Sequence, residues 1–108
     1  GPPITAMLIQ NTNPMVVAPD THAVKQGIMR DDLFICVHEQ FLTDTARMAD
    51  IVLPATTFLE HDDIYSASAH TFLQVTKAVI EPSGDCKSNH EVICGLAQRR
   101  DVGLGGCL

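Results

Sequence analysis

An α/β fold built on a parallel sheet is predicted by three observations. Short apolar runs end in polar turn residues, a helix-period stripe lies between the first two runs, and a second short crossover precedes the third. Ile4 to Gln10 is a nearly continuous apolar run closed by Asn11-Thr12-Asn13-Pro14, the pattern of a buried parallel strand ending in a turn. After Pro19-Asp20, the segment Thr21 to Met29 sets Val24 and Ile28 four apart with Ala23 and Gly27 beside them, which predicts a helix whose His22, Lys25 and Gln26 stay in water. Asp31-Asp32 break it, and Leu33 to Val37 forms the second strand; a crossover of that length makes the two strands parallel. Thr43 caps a short predicted helix through Met48, and Ile51-Val52-Leu53-Pro54 is the third strand, closed by its proline.

Beyond Pro54 the pattern changes. From Tyr65 to Ile80 residues alternate, Phe72, Gln74 and Thr76 against Leu73, Val75 and Lys77, which predicts an extended or hairpin segment whose pairing is open. Pro82 to Asp85 reads as a turn. Ser88 and Glu91 have the spacing of a capping box, opening a helix through about Arg100 with Val92, Ile93, Leu96 and Ala97 as its apolar stripe. The chain of 108 residues allows one ordinary domain, placed here at 1–100 with a flexible tail over 101–108.

Composition removes several classes of function. Hydrophobic residues make up 45% of the chain and mean hydropathy is +0.11, so a core is expected and disorder is not. Seven Lys plus Arg against thirteen Asp plus Glu give a net charge of -6, which offers no basic field to a nucleic acid or an anionic membrane. Neither an apolar run long enough to span a bilayer nor a charged leader followed by an apolar stretch is present, so the expected setting is soluble and cytoplasmic. Cysteines 36, 86, 94 and 107 lack a close CxxC pair, so reduced thiols are expected in place of a disulfide scaffold.

In an open parallel sheet a ligand sits beyond the carboxyl ends of the strands, so the residues after each run carry the information. These are Asn11 to Asn13, His38-Glu39-Gln40 with Thr43 to Thr45, and Thr56-Thr57, all hydrogen-bonding types. An Asn after the first strand can present its amide to a phosphate, and an acid after the second can accept from ribose hydroxyls, the Rossmann-like arrangement; Glu39 lies 26 residues after Asn13, against roughly 20 in the dinucleotide fingerprint. The plainer alternative is that Asn13-Pro14 is only a turn and Glu39 only a solvated acid. No GxGxxG or GxxxxGK[ST] loop is present.

Cys36, His38, His61, His70, Cys86, His90 and Cys94 are zinc-type ligands, and His90 and Cys94 lie one helical turn apart. No second close pair completes a tetrahedral set, and Cys36 lies within an apolar run, so no metal site is assigned. Glu60, Asp62 and Asp63 read as a solvated acidic edge, and no residue is given a catalytic role.

Gln10 to Pro14, the long block Val37 to Ala55, Glu60, and Pro82 to Asn89 together resemble the molybdopterin oxidoreductase family: molybdenum or tungsten enzymes with a bis(guanine dinucleotide) cofactor, such as formate dehydrogenases, nitrate reductases and dimethyl sulfoxide reductases. The likeness covers roughly residues 4 to 100 in order and spacing. It implies a Rossmann-like, three-layer α/β domain, partial in extent, with a parallel sheet flanked by helices that grips one guanine dinucleotide arm of the pterin cofactor. By position it implies cofactor contacts at Asn13, at His38 and Glu39 after the second strand, at His61, and at Asn89 at the last helix cap. The family commonly has Lys where His61 stands and Asp where Asn89 stands.

The resemblance further implies that the metal is held by parts not in this chain. Neither the iron–sulfur cysteine motif nor the segment supplying a ligand to the metal is found. The chain is accordingly expected to be a fragment, catalytically inert alone, with the remaining domains of the parent oxidoreductase as partner and self-association through uncovered apolar edges. The alternatives of other classes are a non-catalytic α/β interaction or assembly module and a small zinc protein.

Overall fold

The structure is a computed structural model that describes residues 1–99. The chain divides into two compact units, Gly1–Pro54 and a second starting at Ala55. The tail expected at 101–108 lies outside the described residues.

The first unit is a three-stranded parallel sheet in the order β1 (Ala6–Gln10), β2 (Phe34–Glu39), β3 (Ile51–Pro54). Between β1 and β2 run two helices, α1 (Pro14–Val17) and α2 (Thr21–Ile28). The β2–β3 connection holds a single 3-10 turn, Ala46–Met48, where the sequence predicted a helix from Thr43. Ile9 pairs with Val37 and Met7 with Ile35, and Cys36 pairs with Ile51 in turn. Asp50 fixes the start of β3: its N–H donates to the Ile35 carbonyl at 2.9 Å while its carboxylate accepts the Ile35 N–H at 2.7 Å.

Side-chain alternation sorts this sheet into two unequal faces. One face supplies the core: Ile9, Ile35 and Val37, buried with Leu33 and Ala46, against which Ile28 and Ala49 pack. Each such aliphatic side chain contributes roughly 1.5–3 kcal/mol by burial. Helix α2 follows the sequence reading. Val24 and Ile28 are its half-buried residues, and the Asp20 carboxylate caps it by accepting the Ala23 N–H at 2.9 Å. The other face carries Leu8 and Cys36, half-buried, and Phe34 and Ile51, 48% and 45% exposed. Within this unit α2 packs through Ile28 on the Ile9–Ile35–Val37 face of the sheet.

The second unit contains an antiparallel hairpin, β4 (Asp63–Ser66) with β5 (Leu73–Thr76), and helix α3 (Asn89–Arg99). The alternating segment thus folds back on itself, with Ile64 opposite Val75 and Ser66 opposite Leu73. Leu59 ties the chain after the hairpin by accepting N–H bonds from Val79 and Ile80. The turn before α3 closes from Ser83 to Cys86 around Gly84, whose φ of +57° favours glycine. The capping box forms as predicted: Glu91 Oε2 accepts the Ser88 N–H at 2.7 Å, and Ser88 Oγ accepts the Glu91 N–H at 3.3 Å.

The stripe predicted for α3 is displaced. Val92, Cys94, Gly95 and Ala97 are its covered positions, while Ile93 and Leu96 are 42% and 43% exposed. Cys36 and Cys86 are free thiols; Cys94 is disulfide-bonded, a departure from the reduced state expected of all four cysteines. Among the described residues no helix is long and apolar enough to cross a membrane.

Candidate functional site

The carboxyl ends of β1 and β2 gather the polar side chains of the first unit. Asn11 leaves β1 in the left-handed region, φ +56°, a conformation that Asn tolerates better than most side chains, and the chain turns at once into α1. Asn13 then reaches the loop before the 3-10 turn. Its Oδ1 accepts the Thr45 hydroxyl at 2.6 Å and the Thr45 N–H at 3.3 Å, and Thr45 Oγ1 accepts the Met15 N–H at 3.2 Å. Thr45 is fully buried. With its oxygen committed, Asn13 keeps its Nδ2 donors without a partner among the described residues.

His38 and Glu39 do not follow β2 as expected; they are its last two residues, paired with Leu53 and Pro54 of β3. His38 is fully buried, and its Nδ1 is 3.0 Å from Gln10 Nε2. With no exposed surface it supports the strand end and reaches a ligand only through its neighbours. Glu39 is half-buried, with Oε1 accepting the Gln40 N–H at 2.8 Å, which turns the carboxylate back over the strand terminus.

The second unit holds the other two candidates. His61 Nδ1 is 2.8 Å from the buried Thr56 hydroxyl, and its Nε2 is 3.8 Å from Asp63 Oδ2. Asn89 is the first residue of α3, and exposed; Ser88 in front of it does the capping. The structure therefore places Asn13, His38 and Glu39 at the strand ends of one unit and His61 and Asn89 in the other. Gln10 and Thr45, the direct partners of His38 and Asn13, were absent from the sequence-derived contact set. The signal for Gln10 was a polar residue closing an apolar run.

Glu60, read as part of an acidic edge, is buried and structural. Its Oε2 accepts the Thr57 N–H at 2.7 Å and its Oε1 the Ser83 N–H at 3.0 Å, and these bonds, Thr57 first, hold its carboxyl below the ordinary value of 4.5. Asp62 beside it is exposed and pairs with Lys77. Because the folded value of Glu60 is lowered, its contribution to stability is complete above about pH 4.5 and is lost as pH falls through the lowered value. Urea melts between pH 7 and 3 should show Glu60→Gln converging with the parent chain at the acid end; a constant gap across that range would rule this out.

Among the described residues no three His, Cys, Asp or Glu side chains are grouped to hold a metal ion. Burial pushes the Cys36 thiol up, which makes it a poor nucleophile or metal ligand. A cavity of about 280 Å³ lies along β1 and α2, lined by Ile4, Met7, Ile9, Val24 and Ile28 among others, and none of the five candidates borders it.

The family model for the molybdopterin oxidoreductases matches residues 2–99. The chain belongs to the molybdopterin oxidoreductase family. Its relatives include the "Probable oxidoreductase YoaE" of Bacillus subtilis, 50% identical over 97 residues that make up 90% of this chain and 14% of the relative. The trimethylamine-N-oxide reductase of Haemophilus influenzae is 37% identical over 94% of this chain and 12% of its own length. The F420-dependent formate dehydrogenase 1 subunit alpha of Methanococcus maripaludis is 33% identical over 95% of this chain and 15% of its own length. The molybdopterin oxidoreductase segment described here thus spans about one-seventh of the length of these relatives.

Proposed function

We propose that this segment binds one guanine dinucleotide arm of a molybdopterin cofactor within a longer molybdenum or tungsten oxidoreductase, on a Rossmann-like sheet. The observation that carries the reading is the Asn13–Thr45 pair: it spends the amide oxygen inside the protein and leaves the donors of Asn13 for an anion at the ends of β1 and β2. The donor set fits such a group, since an amide N–H suits a phosphate and the Glu39 carboxylate suits ribose hydroxyls or the guanine edge.

In this reading Asn13 and Glu39 touch the ligand, and His38 and Gln10 act as positioning residues. His61 and Asn89 are further contacts proposed from their positions in the family pattern. When bound, the cofactor supplies the redox chemistry, while this chain orients and holds it. A chain that holds one arm has no means to place a substrate against the metal, so turnover by this segment alone is not expected.

Calorimetric titration with guanosine diphosphate tests the reading. Saturable binding is expected, weakened roughly tenfold in Glu39→Ala, in keeping with loss of a charge-assisted hydrogen bond. Equal affinity in the folded variant, or no binding by the folded parent chain, would count against it.

A further inference from the structure

Building on the guanine dinucleotide reading, we propose that Thr56 is a positioning residue that gathers His61 and Asn89 into one preformed part of the ligand site within the second unit. Thr56 is 4% exposed and sits where two segments of that unit meet. Its N–H donates to the Lys87 carbonyl at 3.1 Å, and Ala55 and Lys87 form a parallel bridge beside it. Its hydroxyl oxygen lies 2.8 Å from His61 Nδ1. One buried residue therefore holds the imidazole with its side chain and, with its backbone, the residue that stands two positions before Asn89.

A closed ring of bonds stiffens this junction. Glu60 accepts the Thr57 N–H at 2.7 Å and the Ser83 N–H at 3.0 Å, which ties the segment after Thr56 to the turn before α3. That turn closes when the Cys86 N–H donates to the Ser83 carbonyl at 3.2 Å, and the next residue is Lys87, bonded back to Thr56. The two segments are thus joined at two places, by a carboxylate at Glu60 and by the backbone at Thr56, and His61 has little freedom to move against the start of α3. Contacts fixed before the ligand arrives cost less ordering on binding.

The two contacts are prepared in different ways. The His61 ring is oriented from both sides, with Nδ1 at Thr56 and Nε2 3.8 Å from Asp63 Oδ2. A hydroxyl both donates and accepts, so Thr56 keeps its bond whether or not Nδ1 carries a proton. Asn89 is exposed, and because Ser88 and Glu91 complete the capping box between them, its amide is not spent on the helix end. Valine at position 56 would keep the shape and the backbone bond to Lys87 but could not hold the imidazole, so one substitution separates the two tasks of Thr56.

Guanosine diphosphate titrated into the isotope-labelled full chain, followed by nuclear magnetic resonance, decides the matter. Expected is a joint movement of the His61 ring signals and the Asn89 side-chain amide with a single dissociation constant. Thr56→Val should raise that constant roughly fivefold and move the ligand-free His61 Nδ1 signal toward that of an unbonded imidazole, while Thr56→Ser restores both. Should Thr56→Val fail to fold by circular dichroism, the titration of the parent chain still decides. Movement at Asn13 and Glu39 without His61 and Asn89, separate constants for His61 and Asn89, an unchanged His61 Nδ1 signal in folded Thr56→Val, or a loss that Thr56→Ser fails to restore would each overturn the proposal and leave the nucleotide reading standing. Silence at all four residues would overturn both.

Discussion

Ile35→Ala is expected to be the most damaging conservative truncation in the first unit. Ile35 is 1% exposed, sits in the central strand, and packs in the cluster with Ile9, Leu33, Val37 and Ala46. Its backbone is held by both bonds to Asp50, so the strand cannot shift to close the space left by the missing carbons. Truncations of this kind cost about 2–5 kcal/mol, a large part of the roughly 5–15 kcal/mol that holds a domain together. The chain has no tryptophan, so urea unfolding followed by far-ultraviolet circular dichroism is the suitable measurement. Ile51→Ala is the control: Ile51 is 45% exposed, and its truncation should cost much less. Equal losses from the two would mean that both faces of the sheet are packed alike, against the one-sided core described above.

Thr45→Val is expected to have the second largest effect, on stability and on the strand-end site together. The replacement has nearly the same shape, but the hydroxyl that donates to Asn13 and accepts from Met15 disappears. The Met15 N–H then loses its partner, at a cost of about 1–3 kcal/mol. Asn13 keeps only the long bond from the Thr45 N–H, and its amide is no longer fixed toward the strand ends. Faster exchange of the Met15 amide and weaker guanosine diphosphate binding should appear together. A variant that loses stability while keeping nucleotide affinity would show that Asn13 needs no such anchor.

The sequence was most legible where local pattern and tertiary need agree. Strand β3 stands at Ile51–Pro54 as read, because its register is set by the run itself and its end by proline. The capping box at Ser88 and Glu91 is another local device and forms as read. Illegible features are those that depend on what lies opposite. Asn13-Pro14 reads as a turn, yet proline is also a good first residue of a helix, and α1 starts there. Ile93 and Leu96 look like core by spacing, but a stripe is buried only if something covers it.

The candidate site was legible in the same uneven way. Asn13 and Glu39 are recognisable as strand-end polar residues, and the structure puts both at strand ends. The complete burial of His38 was not legible, because a histidine following Val37 looks like the start of a loop until β3 is seen to continue beside it. The role of Glu60 was hidden for a related reason: its partner Ser83 is distant in sequence and offers only a backbone N–H.

The link between Asn13 and Thr45 also bears on the order in which the molecule assembles. These residues are 32 positions apart, and the chain between them includes all of α2 and β2. Closing so long a loop carries an entropic cost that is repaid only when both crossovers have returned to the sheet. The strand-end amide is therefore fixed after the sheet registers, late on the folding path. A partly folded chain can have a formed β1–β2 ladder and still lack the anchored Asn13 amide.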